Sequence, residues 1–397
     1  MILRPDYIQA LLEYKDAPMV KILSGVRRCG KSTILDMYRE HLLKNGVPES
    51  QVIYRRYSSF TMPENFTARD MYQDIAGAVS GHSYVFLDEV QEVSNWEKAV
   101  NSLLEDLDVD LYVTGSNSKL LSGEISTYLT GRYVQIPVYP LSFREYLSFR
   151  NDREHSIHEQ LFDFIRYGGF PVTALQRYDE RTAYQMVEGI YHSVVTGDIA
   201  RRHNIKDFDL FERTVRYIFE NVGKTFSANA IVKFLKSERR SVTPETIYNY
   251  IEWLEQAFVI YRCNRFDLQG KEVLATQEKF YLADSAFKYC LLGYNSKSVA
   301  AMMENVVYFE LRRRGWRVYI GKNDTKEIDF VANRRDERMY VQVTRDMPEG
   351  STREEANLQE IRDHYPKYIV TLDEFAGGNI NGIRVMHLAE FLLAVGY

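Results

Sequence analysis

Gly25-Val-Arg-Arg-Cys-Gly30-Lys31-Ser32-Thr33 decides how this chain has to be read. It is a complete GxxxxGK[ST], preceded by the apolar run VKIL at 20–23 and followed, over 34–43, by apolar residues at helical spacing. Strand, glycine loop and helix form the context in which this motif cradles phosphate. The glycines let backbone N–H groups approach the anion, and the helix N-terminus adds its positive dipole. Gly25, Arg28, Gly30, Lys31, Ser32 and Thr33 are therefore candidate nucleotide contacts. Lys31 is expected to reach the β/γ-phosphates and the Ser32 hydroxyl to ligate Mg²⁺. A chance glycine-rich turn is the plain alternative, and the flanking strand and helix argue against it.

Working outward, Tyr84-Val-Phe-Leu-Asp88-Glu89 is an apolar run ending in two acids, 57 residues after Lys31. Asp88 at the strand's end is expected to hold the Mg²⁺ shell, and Glu89 to polarise the attacking water as a general base. Solvated acids at a strand end are the competing reading. A further run, Leu111-Tyr-Val-Thr114, leads into Gly115-Ser116-Asn117. Ser116 and Asn117 would lie between the ends of the two strands just named and sense the γ-phosphate, unless they only make a turn. Thr130-Gly131-Arg132 precedes a fifth run. Arg132 is either a transition-state arginine, acting in its own site or in a neighbouring subunit's, or an ordinary surface residue.

Runs at 20–23, 52–57, 84–87, 111–114 and 134–138 alternate with helical patterns, the order of a parallel α/β sheet. SNWE at 94–97 and SFRE at 142–145 read as capping boxes. The rest of the composition is that of a globular protein: 397 residues, 45% hydrophobic, 26% charged, 13% aromatic, with Gly 22 and Pro 10, which excludes collagen and disorder. A net charge of −5 speaks against a wholly basic nucleic-acid binder. Three scattered cysteines and no CxxC suggest neither a disulfide framework nor a structural zinc site. No signal-peptide core and no apolar stretch of about 18–20 residues occurs, so a cytoplasmic protein without membrane contact is expected.

The loop GVRRCGKST, FLDEVQ, VTGSNSKLL and the run LTGRY…YPLSFREYL resemble the AAA-type ATPase family of archaea and bacteria. So do the later YGGFP, TIYNYIEWLEQAFVIYR, KFYLADSAFKY and ENVVYFELRRRG, so the resemblance spans nearly the whole chain. It implies an ASCE-type P-loop core, ATP as the nucleotide, a winged-helix-like middle and a nuclease-like C-terminus.

Three parts are expected: a P-loop ATPase domain at 1–155, a helical and winged-helix-like region at 156–285, and a small α/β domain at 286–397. Segment 201–240 carries ten Lys/Arg against five Asp/Glu, a local net of +5. Lys233, Lys236, Arg239 and Arg240 could touch a DNA backbone. The next helix, opened by Thr243-Pro244-Glu245, argues the other way. Between 243 and 256 it has no Lys or Arg, and it carries Glu245, Glu252 and Glu255. In the C-terminal part Glu310, Asp329, Gln342 and Thr344 resemble the PD-(D/E)xK nuclease core, but with Gln in an acid position and Thr in the lysine position, so cutting is not expected. The function read from all this is an ATP-binding, Mg²⁺-dependent ATPase acting as a switch or motor, with a protein partner, assembly into a homo-oligomer, or DNA as the expected partners. A DNA-processing ATPase and a scaffold that hydrolyses little are the rivals.

Overall fold

Burial on both faces explains why the first strands read as continuous apolar runs rather than alternating ones. Every residue of β1 (Val20–Ser24) and of β3 (Ser83–Asp88) is buried, and so is all but the first of β4 (Val109–Gly115). With β2 (Val52–Arg56) and β5 (Tyr133–Pro137) they form a parallel sheet in the order β2-β3-β4-β1-β5. One strand, β4, thus separates the loop strand β1 from the acid strand β3, which is the ASCE-type P-loop arrangement. Helices α1 (Pro5–Glu13), α2 (Lys31–Lys44), α3 (Ala68–Ala78) and α4 (Trp96–Asp106) accompany the sheet. Ile22, Val85, Leu87, Leu111 and Val113 share one core with Met71 and Ile75 of α3 and Val100 and Leu103 of α4.

The computed structural model describes residues 2–397 except 61, 64, 118–128, 130, 271, 348–352 and 375–376. Residues 118–121 of the VTGSNSKLL run, and Thr130, lie outside the described residues. The chain divides into two compact units, 1–138 with 256–258, and 139–255 with 259–397. Among the described residues no helix is long and apolar enough to cross a membrane.

In the second unit, α5 (Phe143–Arg150) opens on the expected box: Ser142 Oγ accepts from the Glu145 N–H at 3.2 Å, and Glu145 Oε2 accepts from the Ser142 N–H at 2.8 Å. The box expected at Ser94 does not form. Asn95, at φ 57°, caps α4 without a side-chain bond. Helices α6 (Ile157–Tyr167), α7 (Pro171–Ala174), α8 (Glu180–His192), α9 (Phe208–Glu220), α10 (Ala228–Ser237) and α11 (Pro244–Gln256) follow. Ile247, Ile251 and Leu254 make the buried face of α11. The hairpin β6 (Ile260–Asp267) and β7 (Glu272–Leu282) comes next, and an antiparallel bridge ties Thr225, between α9 and α10, to Lys279 of β7.

After α12 (Ala286–Leu292) and α13 (Val299–Arg313) come β8 (Arg317–Asn323), β9 (Lys326–Arg334), β10 (Glu337–Thr344), α14 (Arg353–Gln359), β11 (Lys367–Thr371), β12 (Gly378–Ile380), β13 (Ile383–His387) and α15 (Leu388–Leu393). One mixed sheet joins them in the order β12-β13-β11-β10-β9-β8-β6-β7. The hairpin that follows α11 is therefore also the edge of the C-terminal sheet.

Candidate nucleotide site

The loop leaves the C-terminal end of β1 and needs glycine at its first position. A Cβ at Gly25 would stand 2.0 Å from the Val138 carbonyl oxygen. Arg28 turns through left-handed backbone at φ 68°, and Gly30 does so at φ 106° before α2 begins. Lys31 is buried, and its ammonium donates to the carbonyls of Gly25 at 2.9 Å and Val26 at 3.2 Å, curled over its own loop. Arg4 supports the loop from behind, its buried guanidinium donating to the Cys29 carbonyl at 2.9 Å. Burial pushes the Cys29 thiol up, which leaves it a poor nucleophile.

Asp88 is 1% exposed, and four side chains hold its carboxylate. Oδ1 accepts from the Ser32 hydroxyl at 2.8 Å and from the Thr114 hydroxyl at 2.5 Å. Oδ2 accepts from the Tyr54 hydroxyl at 3.2 Å and from Arg56 Nε at 3.1 Å. Burial, and then the charge of Asp88, pushes the Tyr54 hydroxyl up to about 12, so it stays a donor at neutral pH. Thr114 does a second job: its hydroxyl oxygen accepts the Glu89 N–H at 2.9 Å. Glu89 sits in left-handed backbone at φ 56°, ψ 50°, and its carboxylate accepts from the Gln91 amide. Strain of this kind at a non-glycine residue costs about 1–3 kcal/mol and persists only where the surroundings enforce it.

The structure brings most of the candidates to one edge. Register pairs Ser24 with Gly115, so buried Ser116 and Asn117 leave β4 at the same end as Gly25 leaves β1. Thr33 is exposed on the first turn of α2. Arg132 is the exception, and its expected role in its own site has to be corrected. Val20 pairs with Tyr133, and its N–H donates to the Arg132 carbonyl at 2.9 Å. Arg132 therefore lies at the opposite end of the sheet, about 13 Å from the loop end of β1 at the usual strand rise. Its guanidinium is held on α4 by Asn101 at 2.7 Å and Glu105 at 2.8 Å. The sequence reading passes over Tyr54, Arg56 and Thr114. The signal for them is that parallel strands end together, so polar residues closing any of them face one edge.

Elsewhere the candidates separate. Arg240 is bound by Asp209 and Asp207, while Lys233, Lys236 and Arg239 are exposed. Glu310 is turned to Arg314, at 2.7 Å, and the helix acid beside Asp329 is Glu304 instead. Burial and the Asp329 charge raise the Glu304 carboxyl, against the pull of Lys279, whose ammonium stands 3.6 Å from Glu304 and 2.8 Å from Glu327. Asp329 Oδ2 accepts the Val343 N–H at 2.8 Å, and Gln342 Oε1 accepts the Asp329 N–H at 3.3 Å. Thr344 turns to the Asp346 carbonyl, and Arg345 reaches the Ser296 carbonyl at 3.4 Å. Among the described residues no group of three or more His, Cys, Asp and Glu could hold a metal ion.

Comparison with known proteins gives three findings. The AAA domain family matches residues 17–147, and a domain of unknown function matches 158–298. A protein of Haemophilus influenzae is 37% identical over 398 residues, covering 99% of each chain, and one of Methanocaldococcus jannaschii is 30% identical over 331 residues, covering 79% of this chain and 71% of its own. Among solved structures, a Walker-type ATPase of Pyrococcus abyssi is similar with a TM-score of 0.53 at 14% identity, covering 73% of this chain and 96% of that one. At that identity the likeness is one of fold.

Proposed function

This chain belongs to the AAA-type ATPase family of archaea and bacteria, in which a P-loop domain precedes a region of unknown function, and on that premise we propose that it binds ATP with Mg²⁺ at residues 25–33 and hydrolyses it slowly, as a switch or motor. The observation that carries the reading is the 2.8 Å bond between Ser32 and Asp88, which brings the first turn of α2 to the acid strand. Both side chains offer oxygen, the donor Mg²⁺ takes alongside water and phosphate oxygens. Bound there, the ion would neutralise charge on the β- and γ-phosphates.

The chain's own residues do the rest. Lys31 gives up its two loop carbonyls for phosphate oxygens, and Gly25, Arg28, Gly30 and Thr33 shape the cradle. Glu89 accepts a proton from the attacking water, while Ser116 and Asn117 register the γ-phosphate. Arg132, at the other end of the sheet, is either an ordinary surface arginine or a transition-state arginine for a neighbouring subunit's site. Replacing Lys31 by Ala removes the main phosphate cation, so ATP affinity measured by calorimetry should fall at least ~10-fold, the worth of one hydrogen bond to a charged group. Unchanged affinity would contradict the assignment.

The rival reading, an ATPase that works on DNA, draws on the succession of α9, bridge, α10, α11 and hairpin, which resembles a winged helix, and on exposed Lys233, Lys236 and Arg239. The C-terminal sheet is read as nuclease-like in fold without cutting. Gln342 withholds a charge from any metal, and Thr344 offers none to the reaction.

A further inference from the structure

Arg56 ends β2 directly opposite Asp88 in the register, and its guanidinium forms the ion pair on that carboxylate at 3.1 Å. The two partners differ sharply in exposure. The Asp88 side chain is 1% exposed, whereas the Arg56 side chain is 49% exposed and reaches in from solvent. Lys31 does not share the task, because its ammonium is spent on two loop carbonyls. Tyr54 shares the face of Arg56, two residues away on the same strand, and its hydroxyl accepts from Arg56 Nη2 at 3.1 Å while donating to Asp88. The pair thus forms a closed triangle over Oδ2. On α2, Asp36 adds to the local field: burial pushes its carboxyl up, Arg39 and Arg56 pull it down, and Asp88 adds to the rise.

We infer that Arg56 is a cation latch on Asp88, neutralising it while the site holds no nucleotide and swinging out to solvent when metal and nucleotide bind. The inference rests on the nucleotide reading of the loop. Its physical basis is that a buried carboxylate needs a countercharge, and that a guanidinium and a divalent cation on one carboxylate repel. Because Arg56 is half exposed, its departure leaves no cavity in the core. Tyr54 remains behind as a neutral donor, so Asp88 keeps its orientation. The latch sets the Mg²⁺ concentration at which nucleotide binds and contributes little to affinity once metal is saturating.

The test is calorimetric titration of the non-hydrolysable analogue AMP-PNP into wild type, Arg56→Gln and Arg56→Lys over a series of Mg²⁺ concentrations. Arg56→Gln should lower the Mg²⁺ concentration for half-maximal affinity about tenfold, the equivalent of one charge-assisted hydrogen bond. Arg56→Lys, which keeps a cation, should lie between the two. Affinity at saturating Mg²⁺ should stay within about twofold, since the latch is then open in all three. An unchanged Mg²⁺ requirement in Arg56→Gln, beside a wild type that binds, overturns the latch and leaves the nucleotide site standing. Affinity lost equally at every Mg²⁺ concentration overturns it too, by making Arg56 a phosphate ligand. Failure of wild type to bind at all overturns the nucleotide reading, and the latch with it.

Discussion

A single methyl group decides the start of the phosphate loop. At Gly25 it would stand 2.0 Å from a backbone oxygen of β5's exit and 3.2 Å from Cys29 Sγ, and neither neighbour is the loose end of a flexible chain. Gly25→Ala should therefore displace the loop from β5, cutting ATP affinity at least ~10-fold and costing about 1–3 kcal/mol of stability, the range of overpacking in a filled core. Calorimetry and thermal melting together check this, and a variant with wild-type affinity would contradict it. Lys31, Ser32 and Asp88 are just as local, and the sequence shows all of them because each is fixed by its place at the end of one strand or the start of one helix. Tyr54, Arg56 and Thr114 depend on which strands are neighbours. No spacing along the chain encodes that, so they come into view only with the fold.

At the scale of elements, all five strands of the first sheet are legible in the sequence to within two residues at either end: β1, β3 and β4, buried on both faces, stand out as apolar runs, while the edge strands β2 and β5 are only partly buried and show as shorter apolar stretches with polar residues among them. The same apolar evidence is silent on register. Arg132 reads as a site residue because it precedes a strand, yet β5 runs parallel to β1, and the start of a parallel strand lies at the wrong edge. Capping boxes show the same limit: Ser142 and Ser94 carry the same four-residue pattern, but Ser142 is the N-cap of its helix, in extended backbone (φ −68°, ψ 164°), whereas α4 starts one residue later, with left-handed Asn95 (φ 57°, ψ 29°) in the cap position. The middle helices can be judged on charge. With Arg240 held by Asp209 and α11 free of Lys and Arg, Lys233, Lys236 and Arg239 are left to meet phosphate. If this face binds duplex DNA, the logarithm of affinity should fall against the logarithm of salt with a slope no steeper than about −2.7, at −0.9 per contact. Lys236→Glu with Arg239→Glu should then abolish the binding. A steeper slope, or binding that survives both changes, would place DNA on some other surface.

On the scale of the whole molecule, the likeness to relatives extends over 99% and 79% of the chain, well beyond the P-loop unit. The chemistry proposed for the site is that ATP bound through Lys31 is hydrolysed with Glu89 as the base, Asp88 serving binding rather than proton transfer. Thr114 ties the two acids together, its hydroxyl oxygen accepting the Glu89 N–H at 2.9 Å and its hydroxyl donating to the Asp88 carboxylate at 2.5 Å, and Glu89→Gln changes neither bond. The most direct test measures bound nucleotide and phosphate release together in Glu89→Gln. ATP should be retained at the loop with wild-type affinity and turnover should fall by ~10²–10⁴, the usual contribution of a general base. Phosphate release at the wild-type rate would contradict it and return Glu89 to the status of a solvated acid at a strand end.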